Sequence, residues 1–192
     1  MTGVLLAAGA GRRAGGPKAL RIDADGTRWL DRSVQVLLDG GCVQVVVVLG
    51  CEADRARRLL GPPQPRVAVV EATRWAEGAG RSLLSGLAAV EPDPQAVLLH
   101  LVDLPDVSAE VVRRLLTPVH VGPAALARAA YRGQPGHPVL IGSAHLPGLR
   151  TELEDPGPGQ ADTGARGYLD RHAVVLVECG DLASGQDRDQ GD

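Results

Sequence analysis

Residues 43–49 read Val-Gln-Val-Val-Val-Val-Leu, and so dense a run of β-branched apolar side chains is at home only in a strand buried on both faces. Parallel sheets covered by helices on each side bury strands that way, so this stretch points to an α/β fold. Two further runs share its character, residues 4–8 (VLLAA) and 96–102 (AVLLHLV). Between them Trp29, Val34, Leu37 and Leu38 recur near helical spacing and Gly40-Gly41 stops the helix. Residues 52–60 form a short charged helix closed by Gly61-Pro62-Pro63, and 67–70 a third strand. Strand, helix, strand, helix is the doubly wound rhythm, in which ligands gather at the carboxyl ends of the strands. With 192 residues, 44% of them apolar, one domain with a real core is expected.

The first strand empties into a loop carrying Gly9, Gly11, Gly15 and Gly16 beside Arg12, Arg13 and Lys18. Glycines let backbone N–H groups approach an anion closely, while Arg13 and Lys18 add full charge where phosphate oxygens would lie. Lys18 is also the sole lysine among 20 basic residues. A compact ammonium with rotatable donors suits a phosphate whose geometry changes. Spacing narrows the loop type. Gly11 and Gly16 are spaced as in a P-loop, but Pro17 intervenes and Ala19 replaces the hydroxyl that would hold magnesium. Gly9, Gly11 and Ala14 satisfy a dinucleotide fingerprint, yet the glycines and Pro17 that follow oppose the helix that motif requires.

Several residues downstream carry two readings each. Gly78 and Ser82 sit where a loop gives way to a helix near Ser82, whose hydroxyl is placed to cap it or to meet a ligand. Asp103 ends the strand at 96–102 and is either a turn former or a magnesium ligand at the tip of a central strand. Asp106 and Ser108 read as caps of a helix over 109–116, and His100 as a hydrogen-bonded core histidine. Residues 124–130 form a candidate strand, the Gly- and Pro-rich 131–140 a turn cluster holding His137, 152–160 a mobile acidic loop, and 173–177 a last strand. Arg166 is either a phosphate clasp or the start of an exposed helix.

The pattern LAAGxGxRxGxPKxL at the start of the chain resembles the signature of nucleotidyltransferases that join a nucleoside monophosphate to a phosphorylated acceptor. The segment from Trp75 to Leu87 resembles the WxxGxxxSLxxGL element of molybdenum cofactor cytidylyltransferases, within the MobA-like NTP transferase family. Residues 136–139 resemble that subgroup's GHPV element. Residues 161–166 resemble its GDxGAR segment, with Ala161 in place of the first Gly. The resemblance implies a three-layer, Rossmann-like nucleotidyltransferase fold with a mostly parallel sheet. It divides into a nucleotide-binding half over about residues 1–105, an acceptor half over 106–180 and an acidic tail over 181–192.

It also implies roles. Ala7, Ala8, Gly9 and Gly11 would meet the base and ribose, Arg13 the triphosphate, and Lys18 the charge at the α-phosphate. Asp103 would hold Mg²⁺, Gly78 and Ser82 would border the nucleotide, and His137 and Arg166 would touch the acceptor. Family members carry a DxDTPxD stretch near the end, of which this chain has Asp187 and Asp189, making Asp189 a second candidate metal ligand and leaving Asp162 without a settled role. Ala8 favours cytidine by the same resemblance. The implied reaction moves CMP from CTP to the terminal phosphate of molybdopterin, with a recipient molybdoenzyme downstream. The alternatives are a sister transferase using GTP or another phosphorylated acceptor, such as a sugar phosphate or phospholactate, and a non-catalytic nucleotide- or cofactor-binding chaperone.

Other classes fit poorly. A net charge of −3 without a basic block, and aromatics limited to two Trp and two Tyr, give nucleic acid neither an electrostatic footprint nor a stacking surface. No apolar run is long enough for a membrane span, and a strand begins at once, so a cytoplasmic protein is expected. Cys42, Cys51 and Cys179 show no CxxC pairing, which favours reduced thiols over zinc or disulfides.

Overall fold

The computed structural model describes residues 1–12, 14–117, 121–157 and 162–187. Its frame is one seven-stranded sheet in the order β3-β2-β1-β4-β6-β5-β7. The strands are β1 (Thr2–Ala7), β2 (Gln44–Leu49), β3 (Val67–Glu71), β4 (Ala96–Leu101), β5 (Leu126–Tyr131), β6 (Gln134–Gly142) and β7 (Val175–Glu178). β1 runs parallel to β2 and β4, β2 to β3, and β5 to β7, whereas β6 is antiparallel to β4 and β5. The α/β class and the mostly parallel sheet expected from the valine run are both present.

The valine run explains the layers. Val45, Val47 and Leu49 of β2 point to one side and Val46 and Val48 to the other, all fully buried. On the first side lie α1 (Trp29–Asp39), α2 (Ala53–Leu60) and α4 (Ala109–Leu115), contributing Leu30, Leu37, Leu60 and Leu115. On the second lie α3 (Ala79–Ala88), α5 (Leu146–Glu154) and α6 (Arg166–Asp170), contributing Leu83, Leu87, Leu149 and Leu169. Burying each such leucine contributes about 1.5–3 kcal/mol, which holds both helical layers against the sheet. α3 comes especially close: a Cβ on Gly86 would sit 2.7 Å from Val48 Cγ2 and 2.8 Å from Val4 Cγ1. Only a glycine permits that approach. Among the described residues no helix is long and apolar enough to cross a membrane.

Several boundaries differ from expectation. α3 starts at Ala79 rather than near Ser82, with Gly78 as its N-cap residue. The Gly- and Pro-rich stretch read as a turn cluster is a turn only at Arg132-Gly133; from Gln134 it is β6, whose pairing with β4 and β5 overrides the local composition. α5 runs through Glu154 and so occupies the start of the stretch read as a mobile loop. A turn at residues 23–26 is closed by the single bridge of Ile22 with Arg28.

Candidate active site

β1 delivers the chain at the carboxyl edge of the sheet, and the residues after it fold back on themselves. Gly11 O accepts from Ala14 N at 2.9 Å and from Gly16 N at 3.0 Å, with Gly11 at φ +56°. A Cβ at residue 11 would lie 1.9 Å from Gly16 O, so the loop closes only over glycine. Ala8 O accepts from Cys51 N at 2.9 Å, which pins the loop to the end of β2.

Pro17 then leads into a short 3-10 turn, Lys18–Leu20. Lys18 Nζ donates to Asp103 Oδ2 at 2.5 Å, with side-chain exposures of 16% and 14%. Asp103 follows β4, the strand paired directly with β1, so two neighbouring parallel strands bring together residues far apart in sequence. At this low exposure the pair meets less solvent screening than a surface bridge does.

The pair lies in a cleft of about 510 Å³. One wall is the first loop, including Ala7, Ala8, Gly9 and Gly11. Facing it are Trp75, Ala76, Gly78, Ala79 and Ser82, with Asp162 beside them. Ser82 does not cap α3, since it lies inside the first turn; it is 5% exposed, and among the described residues its hydroxyl has no hydrogen-bond partner. Instead Asp162 Oδ1 accepts from Ala79 N at 3.3 Å. Arg12, which the motif skips, also lines the cleft. Arg13 and Asp189 lie outside the described residues.

His137 and Arg166 do not line this cleft. His137 sits near the start of β6, which runs against β4 and so begins at the same carboxyl edge as Asp103. Its carbonyl accepts from Tyr131 Oη at 2.6 Å. Burial, and then the nearby Arg128 charge, push its imidazole down to about 4. Arg166 is exposed at the start of α6. Arg128, a residue no motif singles out, donates from Nε to Gly136 O at 3.1 Å. Burial lowers its pKa; Asp170 opposes that shift and the Arg166 charge adds to it. Arg128 thus lies near both Arg166 and His137, with the acid Asp170 also close and the His137 imidazole neutral near pH 7.

His100 is buried as expected, at 1% exposure, but its Nδ1 has no partner, and burial followed by His137 push it down to about 3. Ser108 caps α4 through Glu110 N, whereas Asp106 does not cap: its Oδ2 accepts from Ser184 N and from Ser184 Oγ, each at 2.6 Å. A carboxylate beyond a strand end can satisfy donors from any segment that passes, and here the passing segment is the one leading to Asp187.

Among the described residues no cluster of three or more His, Cys, Asp or Glu could hold a metal ion. A hard divalent cation that takes one carboxylate and completes its shell with phosphates and water fits Asp103, a part-buried oxygen donor opening on the cleft.

Comparison with known proteins identifies relatives of the whole chain. Residues 3–175 match the model of the MobA-like NTP transferase domain. The chain is 38% identical to nicotine blue oxidoreductase of Paenarthrobacter nicotinovorans, over 98% of this chain and 92% of that protein. The crystal structure of Rv0371c from Mycobacterium tuberculosis H37Rv superposes with a TM-score of 0.72 at 28% identity, covering 93% of this chain and 87% of the other. A second structure of Rv0371c is a complex with manganese. A nucleotidyl transferase from Methanothermobacter, Mth528, reaches a TM-score of 0.72 at 25% identity, over 93% of this chain and 86% of that one. The match over residues 3–175, together with these relatives, makes the chain a member of the MobA-like NTP transferase family and a nucleotidyltransferase.

Proposed function

We propose that the protein transfers CMP from CTP to the terminal phosphate of molybdopterin and releases pyrophosphate. The observation that carries this reading is the Lys18–Asp103 contact of 2.5 Å beneath the glycine loop, which sets a cation and an acid side by side where a triphosphate would enter. The backbone of residues 7–11 holds the nucleotide, and Lys18 and Arg13 neutralise its phosphates. A phosphate oxygen of the acceptor attacks the α-phosphorus, the bond from that phosphorus to the oxygen bridging to the β-phosphate breaks, and pyrophosphate leaves with the electron pair. No covalent enzyme intermediate is needed, so catalysis rests on positioning and charge. A divalent ion on Asp103, magnesium in this reading, supplies further neutralisation of the phosphate charge when bound. The acceptor's anionic end meets the guanidinium groups of Arg128 and Arg166, with His137 beside Arg128 as a neutral imidazole.

The test is to incubate the protein with each of the four NTPs, Mg²⁺ and molybdopterin and to measure pyrophosphate. Release with CTP alone supports the proposal; release with GTP, or with another phosphorylated acceptor, transfers it to a sister activity. Nucleotide binding without turnover makes the protein a carrier. The 38% identity to nicotine blue oxidoreductase favours a second reading, in which the fold serves a redox reaction. Loss of nicotine blue's visible absorbance with a reduced nicotinamide, and no pyrophosphate in the first assay, would establish that reading instead.

A further inference from the structure

The cleft carries two kinds of lining. The Lys18–Asp103 pair brings charge beside the folded glycine loop. Trp75, Ala76, the first turn of α3 and Asp162 line it as well, with Trp75 close to Ala8: a Cβ on Gly50 would lie 2.7 Å from Trp75 Cβ and 2.6 Å from Ala8 O. If a nucleoside triphosphate occupies the cleft, as proposed above, its phosphates go to Lys18 and its nucleoside lies between residues 7–9 and the lining formed by Trp75, α3 and Asp162. A carboxylate accepts hydrogen bonds and repels phosphate, so the part of the nucleotide that Asp162 can meet is a donor group of the nucleoside.

Its position is defined. Oδ1 is held by the Ala79 amide at 3.3 Å, at the start of a helix whose dipole favours a negative charge. Oδ2 has no donor among the described residues. Ser82 follows Ala79 by one helical turn and therefore lies on the same face of α3. Its hydroxyl, in a residue only 5% exposed and bordering the cleft, also has no described partner. The apolar surface of Trp75 and Ala76 suits a flat base, whereas a carboxylate and a hydroxyl side by side suit the edge of a sugar.

We infer that Asp162, fixed by the first amide of α3 and assisted by Ser82, recognises the ribose hydroxyls and makes the site select ribonucleoside over deoxyribonucleoside triphosphates. A hydrogen bond from a hydroxyl to a carboxylate is strong enough for about tenfold or greater discrimination.

The test measures binding of CTP, 2′-deoxy-CTP and UTP to the full chain by calorimetry with Mg²⁺, for the wild type, Asp162→Ala and Asp162→Asn. The wild type should bind 2′-deoxy-CTP about tenfold or more weakly than CTP. Asp162→Ala should bind both alike, at the deoxynucleotide's affinity, and Asp162→Asn, which keeps an acceptor oxygen and the contact with Ala79, should recover part of the preference. Equal wild-type affinities would overturn the inference while leaving the nucleotide site intact. So would an Asp162→Ala protein that loses affinity for both cytidine nucleotides equally, as a purely structural cap would, or one whose CTP-to-UTP ratio changes instead, as a reader of the base would. A wild type that binds none of the three overturns both this inference and the nucleotide reading beneath it.

Discussion

Asp106 and Ser184 are joined twice, through the Ser184 amide and the Ser184 hydroxyl, both donating at 2.6 Å to a single carboxylate oxygen. The bonds tie the segment after β7 to the segment that carries Asp103. Arg114, which meets both oxygens of Asp181 at 2.5 and 2.8 Å, fastens the same segment further back. Exposed contacts of this kind are screened by solvent and contribute little to global stability. Asp106→Ala should therefore leave the global melting temperature nearly unchanged while hydrogen exchange at residues 183–187 speeds up several-fold, as mass spectrometry would detect. Unchanged exchange would show that Arg114 alone secures the segment.

Lys18→Ala removes the cation beside Asp103. Loss of one donor that meets charge developing in a transition state costs about a hundredfold or more in rate. Pyrophosphate release under saturating nucleotide should fall by that factor, and a variant at full rate would remove Lys18 from the mechanism.

Gly11→Ala places a methyl group against the Gly16 carbonyl oxygen at a residue with φ +56°. Neither the space nor the dihedral accommodates it, so the loop must open. Nucleotide affinity should drop at least tenfold while far-UV circular dichroism, dominated by the distant sheet and helices, stays the same.

His100 and His137 titrate at about 3 and about 4 in the folded chain, against 6.5 when unfolded. Between these values the unfolded chain binds more protons, so acid favours unfolding. The contribution is complete above about pH 6.5 and declines as pH falls toward 4. From pH 7 to 5 the urea midpoint should drop by the equivalent of about 1–2 kcal/mol per histidine. His100→Leu, which also removes the unpartnered Nδ1, should flatten that dependence.

Arg128→Ala withdraws one guanidinium from the neighbourhood of Arg166 and His137. The acceptor KM should rise about tenfold, the scale of one charge-assisted hydrogen bond, with the nucleotide KM unaffected. Equal increases in both would place Arg128 outside the acceptor's path.

The parallel frame was legible because burial on both faces imposes an unbroken apolar run, and β1, β2 and β4 each carry one. That Lys18 and Asp103 belong to one edge was legible for a related reason: each follows such a run, and neighbouring parallel strands end at one edge; the direct ion pair between them was not. β6 was hidden because its pairing comes from distant strands, while its own first residues, with Pro135, Gly136 and Pro138 among them, argue locally for turns. α5 gives no clear start, with Pro147 and Gly148 in its first turn, and its acidic end merges into a loop-like stretch. Contacts such as Asp106 with Ser184, Asp162 with Ala79 and Arg128 with Gly136 have no periodic signature at all, because they join side chains to segments that only the tertiary fold brings near.

The self-closing turn at Gly11 carries a kinetic consequence. A receptor whose contour exists before its guest arrives spends no time rearranging, so capture should proceed at a pace set by diffusion and orientation, and differences among competing guests should surface in how long each one stays.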